Sequence, residues 1–318
     1  MTIRRRDILK IGGAAAAGMA VGAVSSPTRA APTPEKRAPM PTRNLGRTGV
    51  PVGIFSLGGQ AAIEQPDNAS IAVPLIERAL DLGVNYIDTS ARYGGEEKRW
   101  SERYVGEVMA RRRREAFLAT KTHDRTREGS IRHLERSLDL LRTDRIDLWQ
   151  VHNLSRMEEV DRIFAKGGAM EALLEAREKK IVRFLGVTGH ADPAVLIEAL
   201  RRFPFDVLLL ALNAADRYRL PFAERLLPLA VEMEMGIVGM KIPARGRLLG
   251  SSGIAMAEAL RYVLTLPVST VIVGCDTIAQ LEENVAIARA FTPLSPDQMA
   301  ALERRAEPVA KQSLFFRA

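Results

Sequence analysis

The chain has 318 residues, 47% hydrophobic and 26% charged, with a formal net charge of +8. Those proportions suit a globular protein with a sizeable core and exclude disorder as a whole-chain state. Half of the positive excess lies in the first 30 residues, where Arg4, Arg5, Arg6, Lys10 and Arg29 face only Asp7, so the remainder is weakly basic and no nucleic-acid partner is expected.

Residues 1–31 read as a removable export signal. A basic start precedes the apolar run IGGAAAAGMAVGAV (Ile11 to Val24), and small residues lead to a cleavage point after Ala30 or Ala31. Such a run is shorter than the roughly 20 residues a stable membrane span needs; a short uncleaved anchor is the alternative. Arg5-Arg6-Asp7-Ile8-Leu9-Lys10 resembles the twin-arginine export motif, with Ile8 where that motif usually carries Phe. The resemblance implies a periplasmic protein that meets the twin-arginine export machinery, touches the membrane only through its signal, and is loaded with cofactor before export. Cys275 is the only cysteine, so no intramolecular disulfide is available, which agrees with folding before export. Residues 32–41, PTPEKRAPMP, are Pro-rich and polar and read as a linker.

From residue 42 short apolar runs alternate with amphipathic runs. NLGRTGVPV predicts a small hairpin with turns at Gly46 and Gly49. Strands are predicted at 53–58, 86–90, 117–121, 146–152, 184–189, 206–213, 236–242 and 269–275. Helices are predicted between and after them, at 71–83, 101–112, 130–142, 169–180, 193–202, 223–233, 254–265 and 278–291, with a terminal helix at 296–311. The basic run Arg111 to Arg114 falls at a helix end, where cations suit the macrodipole.

Strict alternation argues for parallel strands, and the near-continuous apolar strands argue that both sheet faces are covered. Eight such units in about 250 residues are the size of a TIM barrel. The predicted fold is therefore α/β: a single (β/α)8 barrel over 42–318, with a short N-terminal hairpin and a C-terminal extra helix. An open doubly wound sheet is the alternative, but no Gly-x-Gly-x-x-Gly turn follows any strand.

In such a barrel the active site lies at the C-terminal ends of the strands. The second strand ends near Asp88, with Tyr93 beyond it; the third ends with Lys121 and the fourth with His152. Apolar strands do not carry Lys or His at a buried end without reason. No metal site is expected: His123, His152 and His190 could only be imagined as a zinc set, with no helical His pair and no cysteine ligand to support them.

The stretches VNYIDTSARYG, SERYVGEVM, ATK and QVH resemble the aldo-keto reductase family, and the resemblance runs from about Leu45 to Asn284. It implies catalytic roles for Asp88, Tyr93, Lys121 and His152. Tyr93 would protonate the developing alkoxide, Asp88 would hold Lys121 charged and aimed, and His152 would orient the carbonyl oxygen. An ordinary Tyr pKa of about 10 is high for a general acid, and a nearby Lys121 ammonium is expected to lower it by roughly 1–3 units.

GVTGH, MKIPARGRL and VIVGCDTIAQLEENVA fall where that family places cofactor loops. The resemblance implies nicotinamide-cofactor contacts at Thr188, Asn213, Arg245, Gly274, Thr277, Gln280, Glu283 and Asn284, with NADP(H) expected first and NAD(H) second. Asn153 and His190 are expected at the substrate, a small-molecule carbonyl. Gly189 and Leu209 depart from the family pattern, standing where Asn and Gln are usual. The expected activity is reduction of an aldehyde or ketone; a cofactor-sensing regulatory barrel with little turnover is the alternative.

Overall fold

The computed structural model describes residues 39–250 and 252–317. The export signal expected at 1–31 and the first seven residues of the linker lie outside the described residues.

The described chain opens with two antiparallel strands, β1 (Thr42–Asn44) and β2 (Pro51–Gly53), paired from Thr42–Gly53 to Asn44–Pro51. This is the expected hairpin. Its turn needs glycine at position 46: φ is +51°, and a Cβ there would lie 2.2 Å from the Gly236 backbone nitrogen. Eight strands follow: β3 (Phe55–Gly58), β4 (Tyr86–Asp88), β5 (Phe117–Thr122), β6 (Ile146–Val151), β7 (Val182–Gly189), β8 (Val207–Ala211), β9 (Gly236–Met240) and β10 (Thr270–Val273). Each pairs in parallel with its neighbours in chain order, and β10 returns to β3 through Val271–Phe55, closing a barrel. Helices follow the strands and cover the outside, as the alternating pattern predicted.

The differences from the sequence reading have local causes. The helix expected at 223–233 is two pieces, Phe222–Arg225 and Leu227–Glu232, divided where Pro228 enters the second. The terminal helix stops at Ala306, shortly before Pro308, and resumes as short turns through Ser313. One helix was not predicted: Met157–Phe164, which buries Val160 and Ile163. Arg111 and Arg112 do occupy the last turn of a helix, Trp100–Arg112. The run is ion-paired, Arg112 to Asp81 at 2.7 Å and to Glu115 at 2.6 Å, and Arg113 to Asp147 at 2.7 Å. Among the described residues no helix is long and apolar enough to cross a membrane.

Strand periodicity fills the barrel and places the site. Leu45 and Val52 of the hairpin join Tyr86, Phe117, Leu148, Val207, Leu209, Val238 and Ile272 in one buried cluster. Tyr86, Phe117 and Val207 open their strands, so the hairpin plugs the N-terminal end of the barrel. Side chains alternate faces along a strand. The positions sharing a face with Tyr86, Phe117 and Leu148 are therefore Asp88 on β4, Ala119 and Lys121 on β5, and Gln150 on β6. The apolar core gives way to polar side chains one or two pleats up, at the C-terminal end.

Candidate active site

Lys121 and Asp88 form a buried ion pair, Nζ to Oδ2 at 2.5 Å. The ammonium also donates to the Thr89 carbonyl at 2.8 Å, and Gln150 Nε2 donates to the other Asp88 oxygen at 3.4 Å. Burial raises the Asp88 carboxyl and lowers the Lys121 ammonium from their ordinary pKa values, and the pairing opposes both shifts. A pair this deep is held by partners on every side, and removing one member leaves a desolvated charge costing about 3–5 kcal/mol.

Tyr93 lies beyond the end of β4. The Lys121 ammonium sits over its ring, 4.9 Å from the centroid, and the His152 imidazole meets it edge-on at 5.7 Å between centroids. The expected lowering of the Tyr93 pKa is not what this arrangement produces. Burial, then the Asp88 and Glu64 carboxylates, push the phenol well above its ordinary value, and Arg245 opposes them. Burial is the largest cause, while the hydrogen bonds of Lys121 go to Asp88 and the Thr89 carbonyl.

His152 follows β6 directly. Its Nδ1 is 3.0 Å from Ser90 Oγ, and the Arg92 backbone N–H donates to the same oxygen at 3.3 Å. With its oxygen accepting from Arg92, the Ser90 hydroxyl can donate its proton to Nδ1, and in that tautomer the imidazole proton is on Nε2. Burial, then the Lys121 charge, hold His152 well below its ordinary pKa, so it is neutral. A neutral imidazole with Nε2–H is a hydrogen-bond donor that does not compete with Tyr93 as an acid.

A cavity of about 600 Å³ runs from this cluster across the C-terminal ends of β3, β9 and β10. Asp88, Tyr93 and Glu64 line it, with Lys241, Arg245, Gly274, Asp276, Gln280, Glu283 and Asn284 among the other lining residues. Lys241, Ala244 and Arg245 all have positive φ, 62°, 49° and 55°, a contorted loop that presents Lys241 and Arg245 to the cavity. Burial and the neighbouring Arg245 bring the Lys241 ammonium down to about 8.

Of the expected cofactor contacts, Arg245, Gly274, Gln280, Glu283 and Asn284 line this cavity, and Thr188, Asn213 and Thr277 do not. Thr188 Oγ1 accepts from the Asn153 backbone N–H at 2.8 Å. Asn213 spans its own loop and the next, donating to the Lys241 carbonyl at 3.2 Å and accepting from Ala215 N–H at 2.9 Å. Thr277 caps the helix Ile278–Arg289, accepting from Gln280 N–H. Asn153 has φ 51° and a buried Oδ1 without a partner among the described residues. His190 Nδ1 lies 3.2 Å from the Phe316 carbonyl, its ring against Phe316, so the C-terminal tail covers it. The departures are built in: a Cβ on Gly189 would come within 2.8 Å of the Leu154 carbonyl, and Leu209 belongs to the apolar barrel interior.

Ser90, Gln150 and Lys241 were not singled out from the sequence. Lys241 could have been found by the argument that found Lys121, a charged residue closing an apolar strand. Gln150 shares the strand face of His152, two residues on. Nothing local marks Ser90; its role depends on a contact with residue 152.

The family model described as the aldo/keto reductase family matches residues 50–255. The chain belongs to the aldo/keto reductase family. Its members are oxidoreductases that generally reduce carbonyls with a nicotinamide cofactor, usually NADP(H). The chain is 26% identical over 311 residues to the uncharacterized oxidoreductase YqkF of Bacillus subtilis, covering 83% of this chain and 96% of that protein. It is 27% identical over 312 residues to an L-galactose dehydrogenase of Arabidopsis thaliana, covering 84% and 94%. The fold matches the aldo-keto reductase AKR11C1 from Bacillus halodurans (holo form), with a TM-score of 0.71 and 24% identity over 84% of this chain and 96% of that one. This aldo/keto reductase thus carries its Asp, Tyr, Lys and His cluster at the C-terminal end of the barrel, beside a cavity with two cations.

Proposed function

We propose that this aldo/keto reductase reduces an aldehyde or ketone to an alcohol, with Tyr93 as general acid and Lys121, Asp88 and His152 in support. The observation that carries the proposal is the meeting of those four side chains, of which Asp88 and Tyr93 line a cavity of about 600 Å³ whose lining cations are Lys241 and Arg245.

The cavity fits a nicotinamide dinucleotide. Its volume lies in the range of about 300–1,000 Å³ usual for small-molecule sites. Lys241 and Arg245 would hold the pyrophosphate, and Gln280, Glu283 and Asn284 the adenosine. When bound, the cofactor supplies a hydride to the carbonyl carbon. Tyr93, protonated through the neutral range, gives its proton to the alkoxide oxygen. His152 donates from Nε2 to the same oxygen and fixes its position, with Ser90 setting the tautomer. Lys121, held by Asp88 and the Thr89 carbonyl, lies against the Tyr93 ring and stabilises the phenolate as it forms.

NADP(H) is proposed first, from the family's habit. NAD(H) is the second reading, and it rests on Asp276 and Glu283 in the cavity lining: a carboxylate accepts from a free ribose hydroxyl and repels a 2′-phosphate. We also propose that the protein is exported to the periplasm by the twin-arginine route, through Arg5 and Arg6. Retention of an Arg5→Lys, Arg6→Lys variant in the cytoplasm, with the parent found in the periplasm, would support export; identical distribution would refute it.

The deciding experiment titrates the protein with NADPH and NADH by fluorescence and then assays turnover on a panel of aldehydes and ketones. Micromolar binding with turnover that collapses in Tyr93→Phe supports the reductase. Tight binding with no turnover on any carbonyl would replace it with the sensing barrel. Binding of neither nucleotide would refute both.

A further inference from the structure

Outside the catalytic cluster, Glu96, His123 and His133 come together on the same rim. One ligand atom from each lies within 4.8 Å of the others. The three come from different elements: Glu96 from the loop between Tyr93 and the helix Trp100–Arg112, His123 from just past β5, and His133 from the helix Arg127–Leu141. Two imidazoles and one carboxylate are a donor set suited to zinc-class divalent ions, at ligand spacings that small side-chain adjustments close.

Two further observations point the same way. The first is an unpaired atom: His123 Nε2 is 3.3 Å from Glu96 Oε1, but its Nδ1 is buried and has no partner among the described residues. A buried ring nitrogen without a partner is unusual in a finished packing arrangement. The second is a chain of hydrogen bonds that sets the tautomer of His133. Ser130 Oγ donates to the Asp124 carbonyl at 3.2 Å and Thr122 Oγ1 donates to Ser130 Oγ at 3.2 Å. Thr122 has thereby used its proton, so at 3.0 Å it accepts from His133 Nδ1. The lone pair of His133 then sits on Nε2, and an oxygen fixing the far nitrogen of a ligating histidine is the usual outer support of a metal site.

The charges near the cluster are mixed. Arg92 and Arg99 oppose a cation, and Asp124 favours one. Arg99 is already engaged, with Nη1 at 3.4 Å from Glu102 and 3.2 Å from the His133 carbonyl. Glu96 is exposed, leaving room for water as a fourth ligand.

We propose that Glu96, His123 and His133 bind a divalent transition-metal ion of the zinc class with three protein ligands, cross-linking the loop after Tyr93 to the strand end after Lys121. That loop contains Gly94 and Gly95, both in the left-handed region at φ 76° and 87°. The set differs from His123, His152 and His190, which the sequence had offered only as an unsupported combination. The proposal does not depend on the reductase reading, because its test measures metal binding alone.

The test is calorimetric titration of the full chain with Zn²⁺ alone, paired with the visible absorption spectrum of the Co²⁺-loaded protein. The expected result is one Zn²⁺ per chain and a low-symmetry Co²⁺ spectrum. Affinity should fall at least about tenfold in Glu96→Gln and more in His123→Ala and His133→Ala; Thr122→Val should weaken binding about tenfold through the tautomer. Glu96 is exposed, so its variant keeps the test usable where a histidine variant fails to fold. Absence of Zn²⁺ uptake by the parent protein would overturn the proposal. So would equal binding by Glu96→Gln and His133→Ala, or a loss confined to His190→Ala, which would place the ion elsewhere.

Discussion

Lys121 meets Tyr93 across the face of the ring: the ammonium is 4.9 Å from the ring centroid, while its hydrogen bonds go to Asp88 and the Thr89 carbonyl. The phenol is held well above its ordinary pKa, raised by burial and then by Asp88. An acid must hold its proton to deliver it, and a raised pKa keeps Tyr93 protonated through neutral and mildly alkaline pH. The pH profile of kcat for reduction is therefore expected to show no falling limb below about pH 10. A limb near pH 7–8 would mean that Lys121 acts on the hydroxyl in the working complex. Tyr93→Phe should lower kcat by about 10²–10⁴ while leaving cofactor affinity within about twofold.

The imidazole of His152 is set by Ser90, whose hydroxyl lies 3.0 Å from Nδ1. Ser90→Ala removes the group proposed to keep the proton on Nε2. The expected outcome is a fall in kcat of about tenfold, the worth of one hydrogen bond of 1–1.5 kcal/mol, with cofactor affinity unchanged. Ser90→Thr, which keeps the hydroxyl, should recover most of the loss. A shared loss in both variants would make Ser90 a packing residue.

The barrel was legible because each strand is an apolar run of ordinary length and each helix keeps its period, as at Pro193–Arg202, where predicted and observed bounds coincide. Asp88, Lys121 and His152 were legible because they interrupt those runs at the ends where a barrel displays its side chains. What the sequence hid depends on contacts between distant segments. The direction of the Tyr93 pKa shift follows first from its burial in the fold, and the ring of His123 meets that of His133, ten positions along on a helix face. Thr188 and Asn213 were expected at the cofactor from the family resemblance; in the structure Thr188 Oγ1 accepts from the Asn153 backbone N–H and Asn213 donates to the Lys241 carbonyl. Such contacts between distant segments are absent from a one-dimensional pattern.

Lys241, proposed to hold the cofactor pyrophosphate, predicts a pH dependence of binding with a definite sign. Its ammonium, brought down to about 8 by burial and Arg245, is charged below that pH and neutral above it. An anionic pyrophosphate beside it favours the charged form, so binding above pH 8 takes up a proton. The dissociation constant should be flat from pH 6 to 7.5 and then rise toward about tenfold per pH unit. Lys241→Met should weaken binding about 10–100-fold at pH 7, the worth of a charge-assisted hydrogen bond of 1.5–3 kcal/mol, and abolish the rise. A parent curve that stays flat to pH 10 would remove Lys241 from the phosphate contacts.

The proposed NAD(H) reading rests the choice between cofactors on Asp276 and Glu283, and the first to test is Asp276. It lines the cavity with Glu283, while Lys241 and Arg245 lie on the β9 side. Asp276→Arg exchanges a repelling charge for an attracting one, and the ratio of NADPH to NADH affinity should rise about 10–100-fold, corresponding to 1.5–3 kcal/mol for a new charge-assisted contact. Comparing the two dissociation constants in parent and variant checks this; an unchanged ratio would place the 2′ position away from Asp276.

The C-terminal tail is anchored by Arg317, which pairs with buried Asp216, donates to the His190 carbonyl at 3.1 Å and stacks 3.9 Å over the Phe222 ring. Burial raises the Asp216 carboxyl to about 6 and lowers the Arg317 guanidinium to about 10. Because the Asp216 pKa is higher in the folded chain than its ordinary 3.8, the folded state binds more protons between about pH 4 and 6, and this group's contribution to stability falls as pH rises through that window. The Arg317 shift, down to about 10, acts only in alkali, outside the physiological range. At neutral pH both groups are charged, and each tolerates burial because of the other. Arg317→Ala is expected to destabilise by about 3 kcal/mol in urea unfolding at pH 7.5. Asp216→Asn combined with Arg317→Ala should cost less than the sum of the two single changes. With its cation gone, Asp216 protonates more readily, so the deficit of Arg317→Ala should shrink as pH is lowered from 7.5 to 5. A deficit independent of pH would show that the tail is held by the Phe316 and Phe222 contacts and not by the ion pair.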